Sequence, residues 1–409
     1  MMSKVRSAAV VLLLPILAAC SSDPGQHNLS SRSSTQTPTV SPTKTPAATA
    51  ASASTTSPGD KPIRFSTDTF ADLSEEPVDA DTAALLQQTL DGAAGDYGVT
   101  ATVMTADGTW TGAAGTADGL EPMSPRAQMA IGSITKTVVA TQVMRLVEAG
   151  RLGLEDPAAD HLPKKLEFDT NGATVRDLLS MRSGIPDYVE KLWHSLSTDT
   201  GHVWTVDEML ALVPTRRDPP GKEIDYSSTN YLLLGLILEH AYHHPLAQIL
   251  RGGVLDGPGL MRMVYQPAER PTAPIATPDG APALPSAQGG DYLPSLAGAT
   301  AAGPAGGIAS DSATLARWWG RLCAGQIVSQ ESFETMTDFG RPPDWYGLGI
   351  ADRSGAAPAA VGNKGEHVGF NALAECRPDM GAVVVVLIND EQGDTESVET
   401  ALTTALRYR

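Results

Sequence analysis

At 409 residues the chain can bury a large core, and length alone allows two or three domains. Its net charge of −18, with basic residues gathered only in short pairs such as Lys164-Lys165 and Arg216-Arg217, excludes a phosphate-backbone surface and hence a nucleic-acid partner. The acidic balance otherwise argues only for solubility.

The N-terminal stretch MMSKVRSAAVVLLLPILAAC places Lys4 and Arg6 before an apolar run from Ala8 to Leu17. That run is too short for a permanent membrane span and has signal-peptide proportions. Its ending, Leu17-Ala18-Ala19-Cys20, is similar to a bacterial lipobox, which predicts a signal peptide over 1–19 and a lipid on Cys20. A diacyl anchor would hold the protein on the extracytoplasmic side of a membrane of the cell envelope. In residues 21–60, 28 of 40 are Ser, Thr, Pro or Ala, a composition that cannot offset its own ordering entropy. Residues 20–75 are accordingly expected to be a disordered tether, and 76–409 the folded domain. Two further cysteines, Cys323 and Cys376, would sit in an oxidising compartment. They are either a disulfide or two buried thiols, since sequence does not supply a Cα separation.

Along the folded part, Tyr97 to Asp118 shows two β-rich runs around an Asp-Gly turn, a hairpin signal. Val139, Val143, Leu146 and Val147 recur at helical spacing, with Gly150 suited to the helix end. Thr174 stands three residues before Asp177, the spacing of a capping box. NYLLLGLILEHAYHH reads as a second apolar helix, residues 266–305 as a long irregular excursion, and IASDSATLARWWGRLCAG as helix again. Three strands follow, in WYGLGIAD, GEHVGFNALAEC and GAVVVVLIND, before a last helix from about Asp394. Ala382 to Ile388 is apolar without alternation, which predicts a central strand covered on both faces. Strands at both ends with helices between them predict one composite α/β domain of the α+β kind.

Three short motifs carry chemistry. Ser133 and Lys136 stand three apart at a helix start, where exposed N–H groups favour negative charge and both side chains share one side. A serine hydroxyl needs a nearby base to become a nucleophile. The spacing alone is weak, because Ser41 and Lys44 repeat it inside the tether. Tyr226 precedes an apolar helix in a turn-like segment, a place from which a phenol can point into a cleft. In Gly365 to Leu373, Gly369 reads as a strand glycine marking close approach by a ligand, with the Phe370 N–H available to an oxyanion. His240, His243 and His244 share a helical face, but a helix end favouring positive charge accounts for them without a metal.

Serine-x-x-lysine, then tyrosine-serine-x, then histidine-x-glycine, in this order and at these separations, resembles the penicillin-recognising serine hydrolases. The branch it is most similar to holds class C β-lactamases, D-alanyl-D-alanine carboxypeptidases and β-lactamase-like esterases. The likeness runs on through LVEAGRLGLEDPAADHLP, VRDLLSMRSGIPDY and PAGGIASDSATLARW. It implies a β-lactamase-like fold: an antiparallel sheet flanked by helices, a mostly helical lobe, and a cleft between them. It also implies Ser133 as the acylated nucleophile, Lys136 with Tyr226 as the base pair, and Ser133 and Phe370 N–H groups as oxyanion hole, with no metal or cofactor. Ser228, His367, Val368 and Gly369 would face the substrate.

Two departures stand out. Ser228 replaces the family's asparagine, which contacts a substrate's acylamino group, and Val368 lacks the hydroxyl that would bind a carboxylate. Both fall on substrate recognition, so the expected substrates are esters or amides, small or derived from the cell wall. The alternatives are a D-alanyl-D-alanine carboxypeptidase or weak β-lactamase and, from another class, a binding module that kept the fold without turnover.

Overall fold

The computed structural model describes residues 66–278, 292–340, 344–354 and 360–408, all within the compact unit Pro58–Arg409. The signal peptide over 1–19, Cys20 and the tether up to residue 65 lie outside the described residues.

Six strands form one antiparallel sheet in the order β2-β1-β9-β8-β7-β6. They are β1 (Val99–Thr105), β2 (Gly108–Ala114), β6 (Ala351–Asp352), β7 (Val361–His367), β8 (Phe370–Arg377) and β9 (Ala382–Ile388). The expected hairpin is β1–β2, and β9 pairs with β1 on one side and β8 on the other, so chain ends far apart in sequence close one sheet. Every residue of β9 is buried. Val384, Val386 and Ile388 pack with Leu86 and Leu90 of α1 (Ala80–Ala93) and Leu402 of α11 (Thr395–Arg407). Val383, Val385 and Leu387 point the other way, into the main core. Period-two alternation is present in direction but not in chemistry, as a strand covered on both faces requires.

The helical lobe holds α2 (Ile134–Glu148), α3 (Val175–Leu179), α4 (Trp193–Thr198), α5 (Val206–Leu212), α6 (Ser228–Tyr242), α7 (Leu246–Arg251) and α8 (Leu296–Gly306). Helices α9 (Ser312–Cys323) and α10 (Gln330–Met336) follow. A small second sheet, β3-β5-β4, joins β3 (Met129–Ala130), β4 (Val264–Tyr265) and β5 (Ile308–Ser310) just ahead of α2. Thr174 and Asp177 make the expected capping box of α3. Helix α2 is buried almost all round, from Ile134 to Met144, because α6 and α8 pack on it and β7 and β8 cover its remaining side. His243 closes α6 in the left-handed conformation, its N–H donating to the Glu239 carbonyl.

Two expectations need correction. Residues 66–75 are not tether: Thr67–Phe70 is a 3-10 helix and Phe70 is buried in the core. The polar residues around Phe70 hid an anchor that folds this segment in, helped by Leu73 against the same core. Nor is 266–305 irregular throughout, since Leu296–Gly306 forms α8. Its Ala and Gly content reads as loop, yet small side chains are what allow α8 to approach α2 and α6 closely. The chain turns at Gly303 (φ +42), immediately before Pro304.

Cys323 on α9 and Cys376 on β8 are joined in a disulfide with a Cα separation of 6.7 Å, and both are fully buried. The bridge ties α9 to the sheet across 53 residues of sequence. Native protein unfolded without reductant should therefore leave both thiols unalkylated. Replacing both by Ala should lower stability by about 2–4 kcal/mol, the usual worth of such a constraint, read from denaturant midpoints at constant m. Full alkylation without reductant would contradict the bridge.

Candidate active site

The segment leading to α2 fixes Ser133. Ile131 N–H donates to the Ile308 carbonyl at 3.0 Å, carrying the small sheet up to residue 131. Gly132 then takes φ +48, and a Cβ there would lie 2.5 Å from the Glu366 carbonyl oxygen and 2.8 Å from the Glu366 nitrogen. From the other side, a Cβ on Gly365 would meet the Ile131 oxygen at 1.9 Å and the Ser133 nitrogen at 3.0 Å. Two glycines thus let β7 run directly against the start of α2.

Ser133 occupies the position before the first turn of α2, yet its side chain makes no capping hydrogen bond. An ordinary capping serine would spend its oxygen on the backbone. Here Lys136 Nζ donates to Ser133 Oγ at 2.9 Å and to the Ala305 carbonyl at 3.0 Å. Lys136 is 1 % exposed. Ala305 lies in the last turn of α8, where carbonyl oxygens have no partner within the helix. Lys136 Nζ also stands 4.9 Å from the ring centroid of Tyr226 and 5.8 Å from that of Tyr231. Tyr226 is half-buried in the same cleft, stacked on Trp345 and edge-on to Tyr346.

The cleft has a volume of about 220 Å³, and its walls bring together Ser133, Lys136, Tyr226, Ser228 and His367. Five of the residues expected from sequence therefore converge. His367 is buried, and its Nδ1 accepts the Val368 N–H at 2.9 Å. Burial in the cleft wall pushes its pKa down to about 4, assisted by the charge of Lys136 and opposed by the Gly298 backbone. It is a neutral ring at pH 7.

Phe370, Val368 and Gly369 are not cleft residues. The sequence reading took Gly365 onwards as one strand, but β7 already begins at Val361 and ends at His367. Val368-Gly369 is the two-residue turn between β7 and β8, with His367 paired to Phe370 and Gly369 at φ +73. Glycine in the third position of such a turn supplies the positive φ. Its backbone approach is to Pro278, which a Cβ would meet at 2.3 Å. Phe370 is fully buried in the core. The backbone that lies against Ser133 is that of Gly365 and Glu366, so the second oxyanion donor the geometry offers is the Glu366 N–H. Asn363 supports this register, its amide donating to Thr137 Oγ1 of α2 at 3.1 Å. The two glycines in GEHVG carried the signal, but only a strand phase could say which one faces the nucleophile.

Sequence reasoning also passed over Asp187. Its carboxylate lines the cleft and accepts the Ser228 N–H at 2.9 Å and the Val189 N–H at 3.0 Å. Among the described residues, Lys136 is the one Lys or Arg in the cleft wall, whereas Asp187 and Glu366 are both there. No group of His, Cys, Asp and Glu suited to a metal ion occurs among the described residues.

The chain is similar to known proteins to differing extents. A putative penicillin-binding protein, PbpX, of Bacillus subtilis (strain 168) is 25% identical over 276 residues, covering 67% of this chain and 64% of that protein. Protein flp of Staphylococcus aureus (strain NCTC 8325 / PS 47) is 33% identical over 127 residues, covering 29% of this chain and 24% of flp. The chain thus spans under two thirds of the first relative and about a quarter of the second. Among solved structures, a D-stereospecific amidohydrolase from Streptomyces sp. superposes with a TM-score of 0.66 at 26% identity, covering 78% of this chain and 98% of that one. D-amino acid amidase from Ochrobactrum anthropi SV3, complexed with D-phenylalanine, gives 0.67 at 24% identity, over 81% and 100%, and bears on the fold alone. The Beta-lactamase family model matches residues 80–408, and by that match the chain belongs to the beta-lactamase family, the penicillin-recognising serine hydrolases.

Proposed function

We propose that the protein is a serine hydrolase that forms an acyl-enzyme on Ser133 and acts on esters or amides that carry no carboxylate near the scissile bond. The observation that carries this is the 2.9 Å contact between Lys136 Nζ and a Ser133 hydroxyl left free by the helix start. In acylation Ser133 Oγ attacks the substrate carbonyl, and its proton passes to the Lys136–Tyr226 pair. The carbonyl oxygen, now an anion, takes hydrogen bonds from the Ser133 and Glu366 N–H groups. The pair returns the proton to the leaving alcohol or amine as the bond to it breaks. A water then attacks the acyl carbon, gives a proton to the same pair, and Ser133 recovers it as the acid departs.

The charge of the cleft supports the substrate class. A substrate carboxylate would find Asp187 and Glu366 in the wall, a neutral His367, and Lys136 occupied at the nucleophile. The similarity to the Streptomyces amidohydrolase supports amides as well as esters. Export to the cell envelope on a Cys20 lipid is part of the same reading, supported by the N-terminal sequence and by a disulfide, which persists in oxidising compartments.

Ser133→Ala should abolish covalent labelling by a fluorophosphonate probe, while Ser41→Ala should label like the unaltered protein; labelling that survived Ser133→Ala would remove the assignment. Lys136→Ala and Tyr226→Phe should each lower turnover by about 10²-fold or more, the usual cost of a lost general base. In kcat/KM, neutral short-chain esters should exceed cephalosporins and D-Ala-D-Ala peptides, and efficient turnover of either anionic class would contradict the charge argument. Cys20→Ser should yield an unacylated precursor or a released protein, and mass spectrometry still finding a diacyl group on that variant would refute the anchor.

A further inference from the structure

Asp187 is held more firmly than a cleft-wall acid needs to be. Pro186 before it is tied to α6 by Thr229 Oγ1, which donates to the Pro186 carbonyl at 2.8 Å. Tyr188 after it is fully buried and donates its hydroxyl to the Ala301 carbonyl of α8 at 2.6 Å. Between these anchors each carboxylate oxygen accepts one backbone N–H, from Val189 and from Ser228. An ionised carboxylate can accept about four hydrogen bonds, so two are satisfied by the fold and the remainder face the cleft.

Ser228 supplies the second observation. It is 7 % exposed and lines the cleft, but among the described residues its hydroxyl has no hydrogen-bond partner. The oxygen is open to the cleft rather than enclosed, so its donor and acceptor capacity is free for a ligand. The long amide that would engage an acylamino group is absent at this position, and the space it would fill opens onto Asp187. Leu192 and Leu196 line the same cleft and give an apolar wall for a side chain.

We propose that Asp187 and Ser228 form an amine subsite, so that the preferred acyl donors are amino-acid esters and amides whose α-amino group is free and protonated. The ammonium donates to the Asp187 carboxylate and to Ser228 Oγ, and Glu366 adds to the negative field of the cleft. N-acylated substrates lose the charge and meet a carboxylate they cannot donate to adequately. This inference rests on the acyl-enzyme reading above and refines its substrate class.

The test compares three p-nitroanilides: those of phenylalanine and N-acetylphenylalanine, each in both stereochemical forms, and the achiral 3-phenylpropionyl compound that lacks the amine. The unaltered enzyme should favour the free amine over its N-acetyl form by about 10- to 100-fold in kcat/KM in at least one stereochemical form, the worth of one charge-assisted hydrogen bond. Asp187→Asn should bring that ratio close to one. Ser228→Asn, which keeps the backbone N–H to Asp187, should move preference toward the N-acetyl substrate, and it serves if Asp187→Asn does not fold. Equal or better turnover of the N-acetyl compound by the unaltered enzyme would overturn the subsite. So would a parallel loss on all three substrates in Asp187→Asn, which marks a purely structural acid. If no anilide is turned over while a fluorophosphonate still labels Ser133, the subsite fails and the acyl-enzyme reading stands; absent labelling overturns both.

Discussion

The close approach of β7 to the start of α2 sets the rest of the site. With a Cβ on Gly132 or Gly365 the strand and the helix start could not lie within van der Waals distance, and Ser133 would move away from the Glu366 N–H. Because β7 belongs to the large sheet and α2 is the centre of the helical lobe, this one contact registers the two lobes at the reacting atoms. The cleft is what remains open beside it. Placing the nucleophile on rigid elements rather than on a loop keeps its oxyanion donors pre-aimed, and pre-aimed donors cost no reorganisation as charge develops.

Much of this was legible from sequence because the relevant signals are local. Ser133 and Lys136 lie on one side of one helix start, the Asp-Gly hairpin closes on itself, and the apolar run of β9 announces a doubly covered strand without reference to its neighbours. The third motif was misplaced for a different reason. A strand's faces are fixed by its phase, and an error of phase shifts every residue to another role. Val368 has strong β preference, so nothing local marks it as a turn residue; only the pairing of His367 with Phe370 shows that the chain has already reversed. The same shift withdraws Val368 as a reason for poor carboxylate binding. Ser228 still removes the acylamino contact, and the carboxylate argument passes to the two acids of the cleft wall.

Helix α8 was hidden because its composition suits two opposite structures. Ala, Gly and Pro in 296–306 read as a loop when no partner is in view, but against α2 and α6 they are the residues that fit. Gly235 of α6 shows how tight the fit is, since a Cβ there would meet Pro304 at 2.5 Å. The end of α8 then has a chemical consequence. Ala305 lies in the last turn of α8, where carbonyls have no partner within the helix, so its oxygen is free to accept from Lys136.

That carbonyl bears on what kind of lysine Lys136 is. Among the described residues its partners are a hydroxyl, a backbone carbonyl and the faces of two tyrosines, and no ion pair to a carboxylate is present. A carboxylate in contact would favour the protonated amine in every step of the reaction. A hydroxyl, a carbonyl and two ring faces instead hold the nitrogen within reach of Ser133, the position that the proposed proton exchange with Ser133 requires. The acids of the cleft are placed where they do not touch Lys136: Asp187 is bound to the Ser228 N–H at the start of α6 and to the Val189 N–H, and Glu366 is exposed at the end of β7. In the proposed reaction the fold thereby separates two electrostatic tasks, proton transfer at the buried lysine and selection of substrate charge at the wall.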